Sequence, residues 1–121
     1  MLGRRILGTE GERAAEAFLR RRRYAILERN YRCKAGEVDL IALHRGVVVF
    51  VEVKTRTQEE FGDPLEAVDR RKQRQVIRAA RYFIAQHRLY DRDARFDVVG
   101  VWWQDGRVRC EVVENAFEIE S

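Results

Sequence analysis

The sequence is poor in cysteine, proline and long apolar segments, and each shortage excludes a class of protein. Its two cysteines, Cys33 and Cys110, lie too far apart to form a metal-binding motif. Pro64 is the only proline, and the chain contains no proline- or glycine-rich linker, internal repeat or low-complexity tract. No apolar run approaches the length of a membrane span, so we expect no membrane partner.

The first residues also lack a targeting signal. Residues 1–7 contain neither a long apolar stretch nor a cleavage site, so we expect a cytoplasmic protein with reduced thiols. The length of 121 residues fits a single domain, residues 1–121, with one core. We expect residues 1–8 and 118–121 to be flexible ends.

Charge, in contrast, is abundant and unevenly distributed. Charged residues make up 36% of the chain, which exceeds the ordinary share, and the net charge is +4. A basic excess of this size permits binding to nucleic acid or to an anionic membrane surface without demonstrating either. Two basic clusters, residues 20–34 and 70–81, precede an acidic stretch at residues 111–120.

Capping signals predict two helices. Thr9 followed by Glu12 forms a capping box, which predicts that the first helix begins near Glu10. The pair Asp63–Pro64 supplies an N-cap and a proline at the first helical position, so a long helix is predicted from there to about Gln86.

Five strands are predicted between and after these helices, and a basic loop is expected at residues 31–36. The order α-β-β-β-α-β-β indicates a mixed β-sheet with helices packed on it, in the α/β class at the border with α+β. Asp97 stands in an otherwise apolar strand, so we expect it to be paired, with an arginine as one candidate. The predicted strands are residues 24–29, 38–43, 47–54, 96–103 and 107–113.

Carboxylates and a lysine interrupt two of these apolar strands. If Arg45–Gly46 is a two-residue turn, residues that face each other across the hairpin have numbers that sum to 91. Asp39 then faces Glu52, and Glu37 faces Lys54. Glu52 and Lys54 share a face in any register, because side chains alternate along a strand.

Two readings of this hairpin are open. Neighbouring carboxylates repel each other, and either a proton or a cation between them relieves the repulsion. Oxygen ligands suit Mg²⁺ or Mn²⁺. Together with a nearby lysine that stabilises a phosphate, such a cation could support metal-assisted hydrolysis of a phosphodiester. Alternatively, Glu37 and Lys54 form an ordinary ion pair while Asp39 and Glu52 face solvent at a sheet edge.

The pattern Asp39 followed by Glu52-Val53-Lys54 resembles the PD-(D/E)xK nuclease superfamily, with Val38 in the place of the proline. Residues 38–43 and 49–54 are similar to the archaeal Holliday-junction resolvases. More closely, the chain from about residue 8 to 117 resembles the small bacterial YraN family. The matching segments are Gly11-Glu12, Glu28-Arg29-Asn30, Gly36-Glu37-Val38-Asp39, residues 50–56 and residues 95–99.

This resemblance implies a restriction-endonuclease-like core and a metal site. Asp39 and Glu52 would bind Mg²⁺ or Mn²⁺, helped by the backbone carbonyl of Val53. Lys54 would position water and phosphate. Glu12 would bind a second metal or a metal-bound water.

Two further residues are candidates for the site. Glu37 could instead form a salt bridge with Lys54. Gln73 falls where the resolvases carry a polar residue near the site, but we expect it to be a solvated residue of the helix. Basic side chains close to the site predict nucleic-acid contacts. These are Arg32, Lys34, Arg56 and Lys72.

The sequence thus supports a metal-dependent endonuclease that acts on DNA, by analogy branched or structured DNA. RNA is an alternative substrate, and a homodimer is plausible because so small a chain has little surface for a large DNA. A non-catalytic nucleic-acid-binding or adaptor module on the same fold is the main alternative. The third hypothesis is a purely structural protein, for which we expect no affinity for nucleic acid at low salt.

Overall fold

The computed structural model describes residues 2–56 and 68–118, with side chains at 10–55 and 68–118. The element order is the predicted α-β-β-β-α-β-β, which confirms a mixed α+β architecture. The elements are α1 (Leu2–Arg21), β1 (Ala25–Cys33), β2 (Gly36–His44), β3 (Val47–Arg56), α2 (Arg70–Gln86), β4 (Ala94–Gln104) and β5 (Arg107–Phe117).

The five strands form one sheet whose spatial order is the chain order, β1-β2-β3-β4-β5. Neighbouring strands are antiparallel except β3 and β4, which are parallel. Parallel neighbours cannot be joined by a tight turn, and the chain accordingly passes through α2 between β3 and β4. Neither helix within the described residues is long and apolar enough to cross a membrane.

One helix covers each face of the sheet. The α2 face buries Val76, Ala79 and Phe83 against Phe50 and Phe96. The α1 face buries a second cluster, and β3 contributes to both because it lies at the centre of the sheet. This second cluster includes Ala15, Leu19, Leu40, Val49, Val51 and Val99.

The predicted start of the first helix is wrong, and the predicted second helix is not continuous. Helix α1 begins at Leu2, so Thr9 lies inside it and is no N-cap. A threonine followed three residues later by a glutamate occurs both in capping boxes at helix starts and in the interior of helices. The sequence pattern alone does not distinguish these two positions. Asp63–Pro64 lies outside the described residues. A helix running unbroken from there to Gln86 is excluded, because Asp69 is the extended N-cap of α2 and accepts from Lys72 N–H at 2.8 Å.

The basic loop predicted at residues 31–36 is mostly strand. β1 continues to Cys33 and β2 begins at Gly36, which leaves only Lys34 and Ala35 as the turn. Arg32 pairs with Glu37 across the two strands, so charged side chains occupy a regular ladder. β1 is an edge strand, and solvent at the edge tolerates a polar sequence there.

Asp97 is buried and paired, with an arginine as predicted. It contacts Arg95 Nε through Oδ1 at 2.9 Å and accepts from Tyr24 O–H through Oδ2 at 2.8 Å. The backbone N–H of Asn115, which has a left-handed φ of 51°, donates to Oδ1 at 2.9 Å. The buried charge is therefore compensated by a cation and two neutral donors.

Candidate functional site

The register of the β2–β3 hairpin is the predicted one. Arg45 and Gly46 form the turn with φ of 53° and 80°, as a type I′ turn requires. The paired residues sum to 91 from the turn as far as Leu40 and Val51. The ladder described between β2 and β3 ends at that pair, one position before Asp39 and Glu52.

Beyond this pair, side-chain carboxylates replace the ladder. Asp39 N–H donates to Glu52 Oε2 at 3.1 Å, and Val53 N–H donates to Asp39 Oδ2 at 2.8 Å. Each carboxylate thus accepts from a backbone donor at the position where strand pairing stops. This reciprocal bonding holds the two acids together where β2 and β3 separate.

The sheet is also irregular on the β1 side of Asp39. Asn30, in line with Asp39 in the β1–β2 register, has a left-handed φ of 50°. Val38 packs in the core under α2 whereas Leu40 packs in the core under α1. The two-residue alternation of side chains therefore breaks at Asp39. Such local breaks in strand geometry are common beside functional sites.

Glu52 is the most unusual acid of the site, because its side chain is only 1% exposed. Its Oε1 is the one buried side-chain oxygen or nitrogen without a hydrogen-bond partner in the described part of the chain. Lys72 Nζ lies 3.4 Å from Oε1, which is an ion-pair distance without the geometry of a hydrogen bond. Burying a carboxylate oxygen without a hydrogen-bond partner costs free energy, and a bound cation or proton reduces that cost.

Burial sets the protonation of both acids. It raises the pKa of Glu52 to about 7, with the Asp39 carboxylate adding to the rise and the Lys72 ammonium opposing it. Burial also raises the pKa of Asp39, which the hydrogen bond from Val53 N–H opposes. Without a cation the pair therefore retains part of a proton near neutral pH.

Lys72 contacts the acids of the site, whereas the sequence predicted a nucleic-acid contact close to the site for it. Besides the contact with Glu52, its Nζ lies 3.9 Å from Glu37 Oε1. Gly36 permits this approach of α2, because a Cβ atom there would lie 2.7 Å from the carbonyl oxygen of Gln75. A glycine directly before the acidic motif was the available sequence signal.

The predicted alternative for Glu37 is not what the structure shows. Its exposed carboxylate lies 3.4 Å from Arg32 Nε and 3.9 Å from Lys72 Nζ, and no ion pair with Lys54 occurs among the described side chains. Lys54 is half-buried. Its ammonium opposes the rise in the pKa of both Asp39 and Glu52.

Glu12 lies on the α1 side of the same region. It is half-buried, and it borders an open cavity of about 300 Å³ together with Asn30 and Leu40. Burial raises the pKa of Glu12, and the Asp39 carboxylate adds to the rise while a hydrogen bond with the Asn30 side chain opposes it. Asn30 was missed as a site residue, although it falls in a segment that resembles the YraN family.

The remaining candidates have simpler surroundings. Gln73 is not a solvated helix residue, because its half-buried side chain donates from Nε2 to the Val68 carbonyl at 2.9 Å. Arg32 and Lys34 are exposed at the β1–β2 turn, where contact with nucleic acid stays a prediction. Arg56 ends β3, and its side chain lies outside the described residues.

The donor set fits a divalent cation of the magnesium type. Mg²⁺ is often held by one or two carboxylates and retains several waters, and Asp39 and Glu52 provide two carboxylates with one unpartnered oxygen. No cluster of three histidine, cysteine or acidic side chains suited to a metal occurs in the described residues. The roles predicted for Glu12 and for the Val53 carbonyl therefore stay predictions.

Comparison with known proteins places the chain in a family. The family model described as "Uncharacterised protein family UPF0102" matches residues 11–101. A UPF0102 protein of Geotalea uraniireducens is 48% identical over 114 residues, which cover 93% of this chain and 90% of that protein. A UPF0102 protein of Geobacter metallireducens is 46% identical, with 93% of each chain covered. One from Caldanaerobacter subterraneus is 41% identical, covering 96% of this chain and 98% of the relative. The chain therefore belongs to the UPF0102 family, which is the YraN family that its motifs resemble.

Proposed function

We propose that this protein is a divalent-metal-dependent nuclease of the PD-(D/E)xK kind that hydrolyses phosphodiester bonds in DNA. The observation that carries the proposal is the buried, unpartnered Oε1 of Glu52 beside a second carboxylate, Asp39. Lys54 follows on the same strand, on the same face as Glu52. Structural packing alone gives no reason to bury such a pair.

The roles follow from the positions of the side chains. Asp39 and Glu52 would hold the cation, with the Val53 carbonyl and Glu12 as further oxygen donors. When bound, Mg²⁺ or Mn²⁺ lowers the pKa of water and offsets negative charge on the phosphate. Lys54 binds a phosphate oxygen, and its ammonium partly opposes the burial that raises the pKa values of the two carboxylates.

Lys72 would compete with the cation for Glu52. Its ammonium lies 3.4 Å from the Oε1 atom that a divalent ion needs. Lys72→Ala should therefore strengthen binding of Mn²⁺ or Mg²⁺, by about threefold to tenfold if the contact is worth about 1 kcal/mol. Titration calorimetry with the metal alone measures this, and weaker binding in the variant would contradict the competition.

The test of function compares the wild type with Asp39→Asn and Glu52→Gln. Branched, single-stranded and duplex DNA, with an RNA arm, are incubated with Mg²⁺, Mn²⁺ or EDTA. We expect cleavage by the wild type with metal only, and loss of at least a hundredfold in both variants. Glu111→Gln on β5 is the matched control, since this glutamate is exposed at the opposite edge of the sheet. Normal cleavage by either site variant would reject the assignment.

A second candidate is a non-catalytic nucleic-acid-binding module on the same fold. The contact between Lys72 and Glu52 favours it, because an ammonium already neutralises the buried acid and no third acidic ligand joins the pair among the described residues. Binding of DNA without cleavage in every metal condition would support this candidate. Sedimentation of the same samples tests the homodimer that the small size of the chain suggests.

A further inference from the structure

A second charged surface lies at the end of the hairpin opposite Asp39 and Glu52. An open cavity of about 490 Å³ lies between the end of α1 and the β2–β3 turn. Four arginines from these two places line it, and we call them the arginine cradle. They are Arg21, Arg22 and Arg23 at the end of α1 and Arg45 in the turn.

The arginine cradle carries uncompensated positive charge. All four of its side chains are exposed, and none forms an ion pair with any side chain that the structure describes. The acid on the cavity lining, Glu114, already lies 3.4 Å from Arg95 Nη2. Clustered like charges repel each other, so an anion in the cavity relieves a repulsion that the protein does not relieve itself.

The floor of the cavity is formed by two stacked aromatic rings that are fixed by hydrogen bonds. The buried rings of Tyr24 and His44 stack at 3.9 Å with 4° between their planes. Tyr24 O–H donates to Asp97, and Arg95 Nη2 donates to His44 Nδ1 at 2.9 Å. Arginine has only donors, so Nδ1 accepts and the imidazole carries its proton on Nε2. A floor that is already ordered reduces the entropy lost when a ligand binds.

The positions of the arginines are set by local structure. The Arg22 guanidinium lies over the Phe18 ring, 4.5 Å from its centre. Arg23, with φ of 69°, occupies the left-handed position of a Schellman motif, and Arg45 occupies a left-handed turn position. Left-handed arginine alone does not mark a binding site, because Arg88 has φ of 53° after α2. The convergence of four unpaired guanidinium groups around one cavity distinguishes the cradle.

We propose that the arginine cradle binds the phosphodiester backbone of a nucleic acid at a site separate from Asp39 and Glu52. Guanidinium groups bind phosphate oxygens in pairs, and four of them spread over two elements match several phosphates better than one. The turn lies about six residues from Glu52 along β3, or roughly 20 Å at the rise of a strand. The contact thus lies outside the proposed metal site, and a binding measurement in EDTA tests it separately from cleavage.

The test is the double variant Arg23→Gly/Arg45→Gly, with a fluorescently labelled 20-nucleotide single-stranded DNA in EDTA. We expect the affinity at 50 mM salt to fall about tenfold or more. The slope of log affinity against log salt should fall by about 1.4, which is about 0.7 for each of two lost phosphate contacts. Glycine relieves the left-handed strain at both positions, so the melting temperature should rise by about 2–4 °C. Weaker binding by a more stable protein cannot result from misfolding.

Arg88→Gly is the matched control. It removes one positive charge from the same left-handed conformation outside the cradle, so it should raise the melting temperature and leave the affinity unchanged. Unchanged affinity and salt slope in the double variant would overturn the proposal. An equal loss per charge in Arg88→Gly would also overturn it, because only net charge would then matter. Loss of binding to phosphatidylserine vesicles with oligonucleotide binding intact would assign the cradle to a membrane surface instead.

Discussion

Burial of Glu52 should make the protein less stable as the pH rises through the neutral range. Its pKa is raised from 4.5 to about 7 in the folded protein, chiefly by desolvation. The native state therefore retains a proton that the unfolded chain has released. Stability from this proton is fully present below about pH 4.5 and is lost as the pH rises towards about 7.

The size of the effect follows from the shift. A rise of the carboxyl pKa from 4.5 to about 7 corresponds to roughly 3 kcal/mol of stability, since a tenfold change in proton affinity is worth about 1.4 kcal/mol. Between pH 5 and pH 8 the free energy of unfolding should fall by about 2–3 kcal/mol through this group. Solvent screens this carboxyl little, because Glu52 is only 1% exposed.

Urea unfolding in EDTA at pH 5, 6, 7 and 8 measures this dependence for the wild type and for Glu52→Gln. The neutral amide cannot titrate and removes the charge that acts on Asp39, so the difference between the two curves reports the buried Glu52 carboxyl together with its coupling to Asp39. We expect the variant to lose about 2–3 kcal/mol less than the wild type over the range. Glu111→Gln, an exposed acid, should follow the wild-type curve. Parallel curves for the wild type and Glu52→Gln would refute the reasoning.

Three further perturbations test the packing around the site and the core. Lys72→Met should lower the free energy of unfolding by about 1 kcal/mol at pH 8 and by less at pH 5, where Glu52 is protonated; urea titration at both pH values measures this. Gly36→Ala should cost about 1–3 kcal/mol, because the new Cβ would meet a backbone oxygen of α2 at 2.7 Å, and a melting temperature that does not fall would contradict that contact. Asp97→Ala should cost about 3–5 kcal/mol by leaving Arg95 partly buried without its partner, and a loss below 1 kcal/mol in urea would show that the network is dispensable.

Local patterns were sufficient to predict the order of the elements and the register of the central hairpin. The β-branched and aromatic residues of β3, buried on both faces, mark a central strand. The Arg45–Gly46 turn then fixes which residues of β2 and β3 face each other, because loop length sets register. The same reasoning placed Asp39 and Glu52 in the same part of the sheet.

The start of the first helix was predicted less well, for a reason that Thr9 illustrates. A capping box and an ordinary one-turn spacing inside a helix share the same residues, and only the course of the preceding chain separates them. In α2, Asp69 caps the helix through a bond to Lys72 N–H. Asp63 has the same residue type and a proline beside it, so local chemistry predicted one helix from there to Gln86 and missed the new start at Asp69.

The sequence by itself determined the order of the elements, the register of the β2–β3 hairpin and the pair of acids beyond it, because strand periodicity and turn length are properties of neighbouring residues. Only the tertiary structure decided that β2 and β3 separate at Asp39 and that Lys72 of α2 contacts Glu52. It also decided that Asn30, in line with Asp39, has a left-handed backbone conformation. These contacts join residues far apart in the chain. Their geometry depends on how a helix packs on the sheet and on which backbone donors the ladder leaves unpaired.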